Sequence, residues 1–198
     1  MQKRRAPLVG LYAPAAQSGK TTLAKALGGF GWQTVKFAAP LKAMIRALLV
    51  EVGCPAGDIE RYIEGDLKEA PNPYLGGATT RHAMQTLGTE WGRACMGSNF
   101  WVEMFRVKAN KLRDMGVAVV TDDMRFPNEY DAIAEDDGIT VHVSKPGVER
   151  AGGHSSEGAL DNEVFSIKVV NDYPNAVQYA LDVAPKVSSY AWTGSTRA

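Results

Sequence analysis

The strongest constraint on this chain lies near its N-terminus. The apolar run Leu8-Val9-Gly10-Leu11-Tyr12 leads into the small-residue stretch Ala13-Pro14-Ala15-Ala16-Gln17. Ser18-Gly19-Lys20-Thr21-Thr22 follows, and Leu23-Ala24-Lys25-Ala26-Leu27 continues with a helical composition. The order is strand, phosphate loop, helix, as in a P-loop. Small side chains let backbone N–H groups close around phosphate oxygens, and the helix N-terminus adds the positive end of its dipole. The expected phosphate contacts are therefore Ala15, Ala16, Gln17, Ser18, Gly19, Lys20, Thr21 and Thr22. Lys20 is placed to reach the terminal phosphates of a bound nucleotide, and the Thr21 hydroxyl to help hold Mg²⁺. Pro14 stands where the full pattern has a glycine, five residues before Gly19. Proline fixes φ and has no N–H, so this position is expected to turn the chain and not to bind phosphate. The competing reading is a glycine-marked strand-to-helix turn with a surface lysine.

The pattern downstream alternates strands with helices. Short strands are expected at Trp32–Ala38, Val117–Thr121, Ile139–Val143 and Phe165–Val170. Helices are expected at Leu41–Val52, from Thr79-Thr80-Arg81 onward with a threonine cap, at Asn99–Met115, at Glu129–Asp136, and at about Pro174–Val183. Gly88 is expected to end or bend the helix that contains it. This is an α/β chain with a parallel sheet, whose ligands gather at the carboxyl ends of the strands. The length of 198 residues suggests a single domain. Within it we expect an acceptor-binding segment at about 37–98, a Gly-, Ser- and charge-rich flap at about 144–160, and a loose tail at about 188–198.

Composition removes several classes. Lys plus Arg and Asp plus Glu are each 22, so the formal net charge is zero. A general grip on nucleic acid needs clustered positive charge, so none is expected. No apolar run approaches a membrane span, and no signal-peptide core follows the basic first residues. Two cysteines far apart, Cys54 and Cys95, suit reduced thiols in a cytoplasmic protein.

Further groups complete the chemistry. Asp122 and Asp123 follow a buried-strand pattern, as the metal-holding acid of P-loop enzymes does. The apolar run points to Asp122, which comes immediately after it. Arg81 and Gln85 share a helix face one turn apart, with Thr89 next in that row. With Arg93 and Arg125 they are candidates for the acceptor side, because arginine forks onto phosphate and glutamine reads a base edge. Phe37, at the end of the second strand, is the aromatic expected to stack on a base. Lys145, Arg150 and His154 lie in the flap, and a cationic flap suits closure over a charged transition state; composition alone favours a solvated polar loop.

Several of these stretches together resemble the phage-type deoxynucleoside monophosphate kinases. They are Gly10 to Thr22; Phe37-Ala38-Ala39-Pro40-Leu41-Lys42; Arg81 to Glu90 with Arg93; Asp123-Met124-Arg125-Phe126-Pro127-Asn128-Glu129; and His154-Ser155-Ser156-Glu157. The resemblance implies a three-layer P-loop kinase fold, with a central parallel sheet of about five strands, flanking helices and a lid. It implies transfer of the ATP γ-phosphoryl group to a deoxynucleoside monophosphate, with ATP and Mg²⁺ as cofactors. On it, Lys20, Arg125 and Asp123 form the catalytic set, with Thr21 and Asp123 at the metal; Asp122 joins that set from the apolar run, not from the resemblance. Arg150 and Asn171 join the ATP side. Phe37, Lys42, Arg81, Gln85, Arg93, Arg125 and His154 take the acceptor. Relatives suggest a homodimer in the cytoplasm, the host's if the chain is phage-encoded. The alternatives are a kinase for a modified deoxynucleotide or a hydroxymethylated base in DNA, and a P-loop regulator without kinase activity. The chain departs from the resemblance at Pro14, at Ala16-Gln17, and at Lys145, where arginine is common.

Overall fold

A computed structural model describes residues 5–148 and 158–194. In chain order its strands and α-helices are β1 (Leu8–Tyr12), α1 (Lys20–Gly28), β2 (Gln33–Thr34), α2 (Ala39–Glu51), α3 (Ala56–Ile63), α4 (Thr80–Thr86), α5 (Phe100–Asp114), β3 (Val119–Thr121), α6 (Pro127–Glu135), β4 (Ile139–Ser144), β5 (Ile167–Val170) and α7 (Ala176–Thr193). A π-helical stretch, Leu87–Met96, continues α4. Packing divides the chain into two compact units, Met1–Phe37 with Phe105–Ala198, and Ala38–Met104.

The first unit is built on a parallel five-stranded sheet in the order β2-β3-β1-β4-β5. All five residues of β1 are buried, which is why this strand reads as an unbroken apolar run. Val9 and Leu11 face Leu23, Ala24 and Leu27 of α1 and Tyr179, Val183, Ala184 and Val187 of α7 in one apolar cluster. Gly10 points to the opposite face, as alternation along a strand requires. A Cβ there would lie 3.0 Å from Ile133 of α6 and 3.0 Å from Met124, so glycine lets both approach the sheet. Helices therefore cover both faces, and the architecture is the expected three-layer P-loop kinase type.

Two expectations change. β2 is only Gln33–Thr34, extended by one bond from the Val35 N–H to the Val120 carbonyl (2.9 Å). The last helix does not stop near Val183 to leave a tail from Ser188; α7 runs through Pro185 to Thr193. Its core-facing row simply continues, with Val187 and Ala191 each 1% exposed. Ser188 is buried there and accepts the Trp32 indole N–H at 3.1 Å. Burial of that row outweighs the hydrogen bond that Pro185 cannot make.

The second unit packs α2, α3 and α4 around Ile45, Leu49, Ile59, Tyr62, Ile63 and Met84. The Thr79 hydroxyl caps α4 by accepting the His82 N–H at 3.1 Å, as its sequence position suggests. Gly88 does not end the helix. The backbone widens into the π stretch, and the Trp101 indole N–H donates to the Gly88 carbonyl at 2.8 Å. A Cβ on Gly92 would come within 2.3 Å of that indole, so glycine admits the ring.

If the C-terminal helix is part of the core, Ser188→Ala strands a buried indole N–H and should cost about 1–3 kcal/mol in urea unfolding. An unchanged midpoint would mean that this turn of α7 adds nothing to the fold.

Candidate active site

Parallel pairing places the site. β1 and β3 are neighbours, with Gly10 opposite Thr121, so the loop after β1 and the acids after β3 leave the sheet side by side. α1 starts at Lys20, which leaves the N–H groups of Lys20, Thr21 and Thr22 without intrahelical acceptors. Gly19 has φ 107°, a left-handed conformation, and a Cβ there would meet Asn171 Nδ2 at 2.6 Å and Tyr179 at 3.0 Å. Only glycine fits. Gln17 also has a positive φ, 59°, the conformation a glycine takes without strain. Pro14 sits in the bend before the loop. The carbonyls on either side of it are both engaged: Ala13 accepts Lys20 Nζ at 3.3 Å and Ala15 accepts the Ser18 hydroxyl at 2.8 Å.

The two acids divide their work. The Thr21 hydroxyl donates to Asp122 Oδ2 at 2.9 Å. Asp122 is 6% exposed, and its Oδ1 makes no hydrogen bond; Lys36 Nζ lies 3.0 Å from it as an ion pair. Asp123 Oδ1 instead accepts the Phe37 N–H at 3.0 Å and the Thr121 hydroxyl at 2.8 Å, clamping the end of β3 to the chain after β2.

Charge converges on Lys20. Burial, and then the Arg125 guanidinium, lower its pKa to about 8, against the opposing pull of Asp122 and Asp123. Arg125 is exposed, on a backbone held by Glu129, whose Oε2 accepts the Arg125 N–H at 2.7 Å and the Phe126 N–H at 3.2 Å. Glu129 is 3% exposed and caps α6 from inside its first turn.

Other expected residues fall elsewhere. Asn171 donates its amide to the Ser18 carbonyl at 3.0 Å, so it supports the loop backbone from below. Phe37 is 3% exposed and stacks on Phe105 with centroids 4.1 Å apart, so its ring belongs to the core and is not presented to a base. Arg150 and His154 lie outside the described residues. Beyond that stretch, the Tyr12 hydroxyl donates to Asp161 Oδ1 at 3.0 Å and its ring stacks on Phe165, tying the returning chain to the end of β1.

In the second unit Lys42 pairs with Glu64 at 2.5 Å and Arg81 pairs with Glu69. Surface pairs of this kind contribute roughly 0–1 kcal/mol. Gln85 is exposed one turn from Arg81 on α4. Arg93 belongs to the π stretch, and its guanidinium reaches the Ser98 carbonyl at 3.5 Å. Lys68 was not anticipated. Its pKa is lowered by burial and by the cations Arg81 and Lys42, which marks a shared cationic neighbourhood. Lys36 and Glu129 were also missed as site residues. A proline followed two residues later by an acid signals the Glu129 cap, but nothing in the sequence signals Lys36.

Comparison with known proteins settles the family. Residues 66–176 match the model of the deoxynucleotide monophosphate kinases. A protein of Acanthamoeba polyphaga mimivirus, provisionally described as a deoxynucleotide monophosphate kinase, is 30% identical over 176 residues, 83% of this chain and 88% of its own. This chain belongs to the deoxynucleotide monophosphate kinase family. It is a phosphotransferase. The crystal structure of TT1252 from Thermus thermophilus shares the fold at TM-score 0.53 and 20% identity, covering 96% of this chain and 100% of its own. No helix among the described residues of this kinase is long and apolar enough to cross a membrane.

The residues present suit a magnesium ion. The Thr21 hydroxyl and the Asp122 carboxylate are hard oxygen donors side by side, and Asp122 Oδ1 has no hydrogen bond to lose. Mg²⁺ is commonly held by one or two protein oxygens with water and substrate phosphates.

The lowered pKa of Lys20 has a stability consequence. Below about pH 8 the folded state carries a desolvated ammonium, so Lys20 opposes folding there. Between about pH 8 and the ordinary lysine value of 10.5 the unfolded chain binds the extra proton, so stability rises with pH. Urea titrations of the ligand-free protein should show a gain of up to about 3 kcal/mol across that window that Lys20→Met lacks. Identical pH profiles for the two proteins would contradict the burial of this amine.

Proposed function

We propose that this kinase transfers the γ-phosphoryl group of ATP to a deoxynucleoside monophosphate, giving ADP and the deoxynucleoside diphosphate. Family membership supports nucleotide kinase activity. The observation that carries the finer reading is the convergence of Lys20, the Thr21–Asp122 pair and Arg125 on one phosphate loop.

The chemistry follows from charge. An oxygen of the acceptor's 5′-phosphate is already a nucleophile, so no general base is required. It attacks the γ-phosphorus in line, the bond from that phosphorus to the β–γ bridging oxygen breaks, and ADP leaves with the electron pair. The loop amides up to Thr22 cradle the phosphates, while Lys20 and Arg125 offset the charge of the transferring group. Mg²⁺ bound at Thr21 and Asp122 supplies further charge neutralisation. Asp123 is a positioning residue on this reading, because its carboxylate holds the backbone at Phe37. Asn171 likewise positions the loop. Arg81, Gln85 and Arg93 are proposed to take the acceptor, with Lys42 and Lys68 adding positive charge.

The test is release of ADP from MgATP with dAMP, dCMP, dGMP and dTMP in turn. Turnover is expected with at least one. Lys20→Ala should lower kcat/KM by at least about a hundredfold, with the far-UV spectrum unchanged. No turnover with any of the four would contradict the common-nucleotide reading, and an active Lys20→Ala protein would contradict the role of the lysine.

A further inference from the structure

Lys36 has no place in the mechanism above, yet it is the residue the fold holds against the carboxylate assigned to the metal. Its backbone is pinned on both sides. The preceding Val35 N–H donates to the Val120 carbonyl at 2.9 Å, and the following Phe37 N–H donates to Asp123 Oδ1 at 3.0 Å. Both anchors lie at the end of β3, so the Cα of Lys36 is fixed beside Asp122. From there Nζ reaches to 3.0 Å of Asp122 Oδ1, the oxygen that makes no hydrogen bond. The other oxygen is taken by Thr21.

The two partners differ in freedom. The Asp122 side chain is 3% exposed and the Lys36 side chain 37% exposed. A buried carboxylate with no cation nearby is costly, by several kcal/mol for a desolvated charge. A lysine tip at the surface can leave for solvent at little cost, because its four-carbon stem is flexible and its charge is readily hydrated. The carboxylate is thus permanent and its cation exchangeable.

We propose that Lys36 is a tethered counter-cation that occupies the metal-binding face of Asp122 and is displaced when the divalent ion arrives with the nucleotide. The proposal rests on the reading of Thr21 and Asp122 as the metal site. Its physical sense is that the ammonium offsets the charge of Asp122 while the Thr21–Asp122 bond keeps the start of α1 in position. It also makes bare metal a weak ligand, because the ion must expel a positive charge held on the protein. A metal–nucleotide complex brings phosphate oxygens that receive both the ion and the displaced ammonium.

The test is Mn²⁺ binding, followed by loss of the free-ion EPR signal, with and without ADP. Lys36→Met removes the charge and should bind Mn²⁺ about tenfold more tightly without nucleotide, as expected when one unit charge is removed a few ångströms from a partly exposed site. Lys36→Gln should do the same and serves if the methionine variant does not fold. Lys36→Arg keeps the charge and should bind as the parent protein does. Unchanged or weaker Mn²⁺ binding in the uncharged variants overturns the proposal, as does tightening in Lys36→Arg. Failure of the underlying site looks different: Mn²⁺ binding by the parent protein with ADP would then be insensitive to Asp122→Asn.

Discussion

The structure depends on the parallel pairing of β1 with β3. Leu8, Val9 and Gly10 lie opposite Val119, Val120 and Thr121, so β3 ends beside Gly10 and β1 runs two residues further to Tyr12. The phosphate loop and both acids are suspended from those two ends. The loop hangs from one and Asp122 and Asp123 from the other, and the Thr21–Asp122 hydrogen bond joins them. A register slip of one residue would exchange the side chains that meet α1 and α7 with those that meet α6, and the loop and the acids would no longer meet. The buried apolar faces of β1 thus hold the geometry of a polar site several residues away.

Around that join the polar residues fall into two kinds. Some hold backbone: Asp123 clamps Phe37 to β3, Asn171 supports the Ser18 carbonyl, and Glu129 caps the turn that carries Arg125. Others hold charge in readiness: Lys20 partly desolvated against its neighbours, Asp122 with one oxygen outside any hydrogen bond, and Lys36 against it. The first kind is buried or half-buried and satisfied by backbone donors and acceptors. The second is where burial and charge are in tension, as expected of groups tuned for a ligand.

The second unit follows the same economy. Gly92 and the Trp101 indole permit the π stretch, a backbone form that persists only where packing over-determines it. Local sequence cues there indicate a helix with a weak point at Gly88. They do not say that a tryptophan thirteen residues later would capture the carbonyl and carry the helix through. The same holds for α7, whose continuation past Pro185 depends on a sheet face that needs covering.

What the sequence by itself determined is everything carried by local chemistry. The apolar run into Ser-Gly-Lys-Thr specifies strand, loop and helix, because a buried strand reads as an apolar run and glycine admits the left-handed turn before α1. Strand–helix alternation specifies a parallel sheet, and the spaced motifs indicate the family. Tertiary structure decided what depends on distant segments meeting. It paired Thr21 with Asp122, the acid to which the apolar run points, and gave Asp123, the acid to which the resemblance points, to Phe37. It buried Phe37 on Phe105 and so removed it from the acceptor side. It placed Lys36 on Asp122 across 86 residues of chain, through strand pairing and the Asp123 clamp at Phe37. Side-chain identity is local, but the partner of a charge is set by which strand ends lie together.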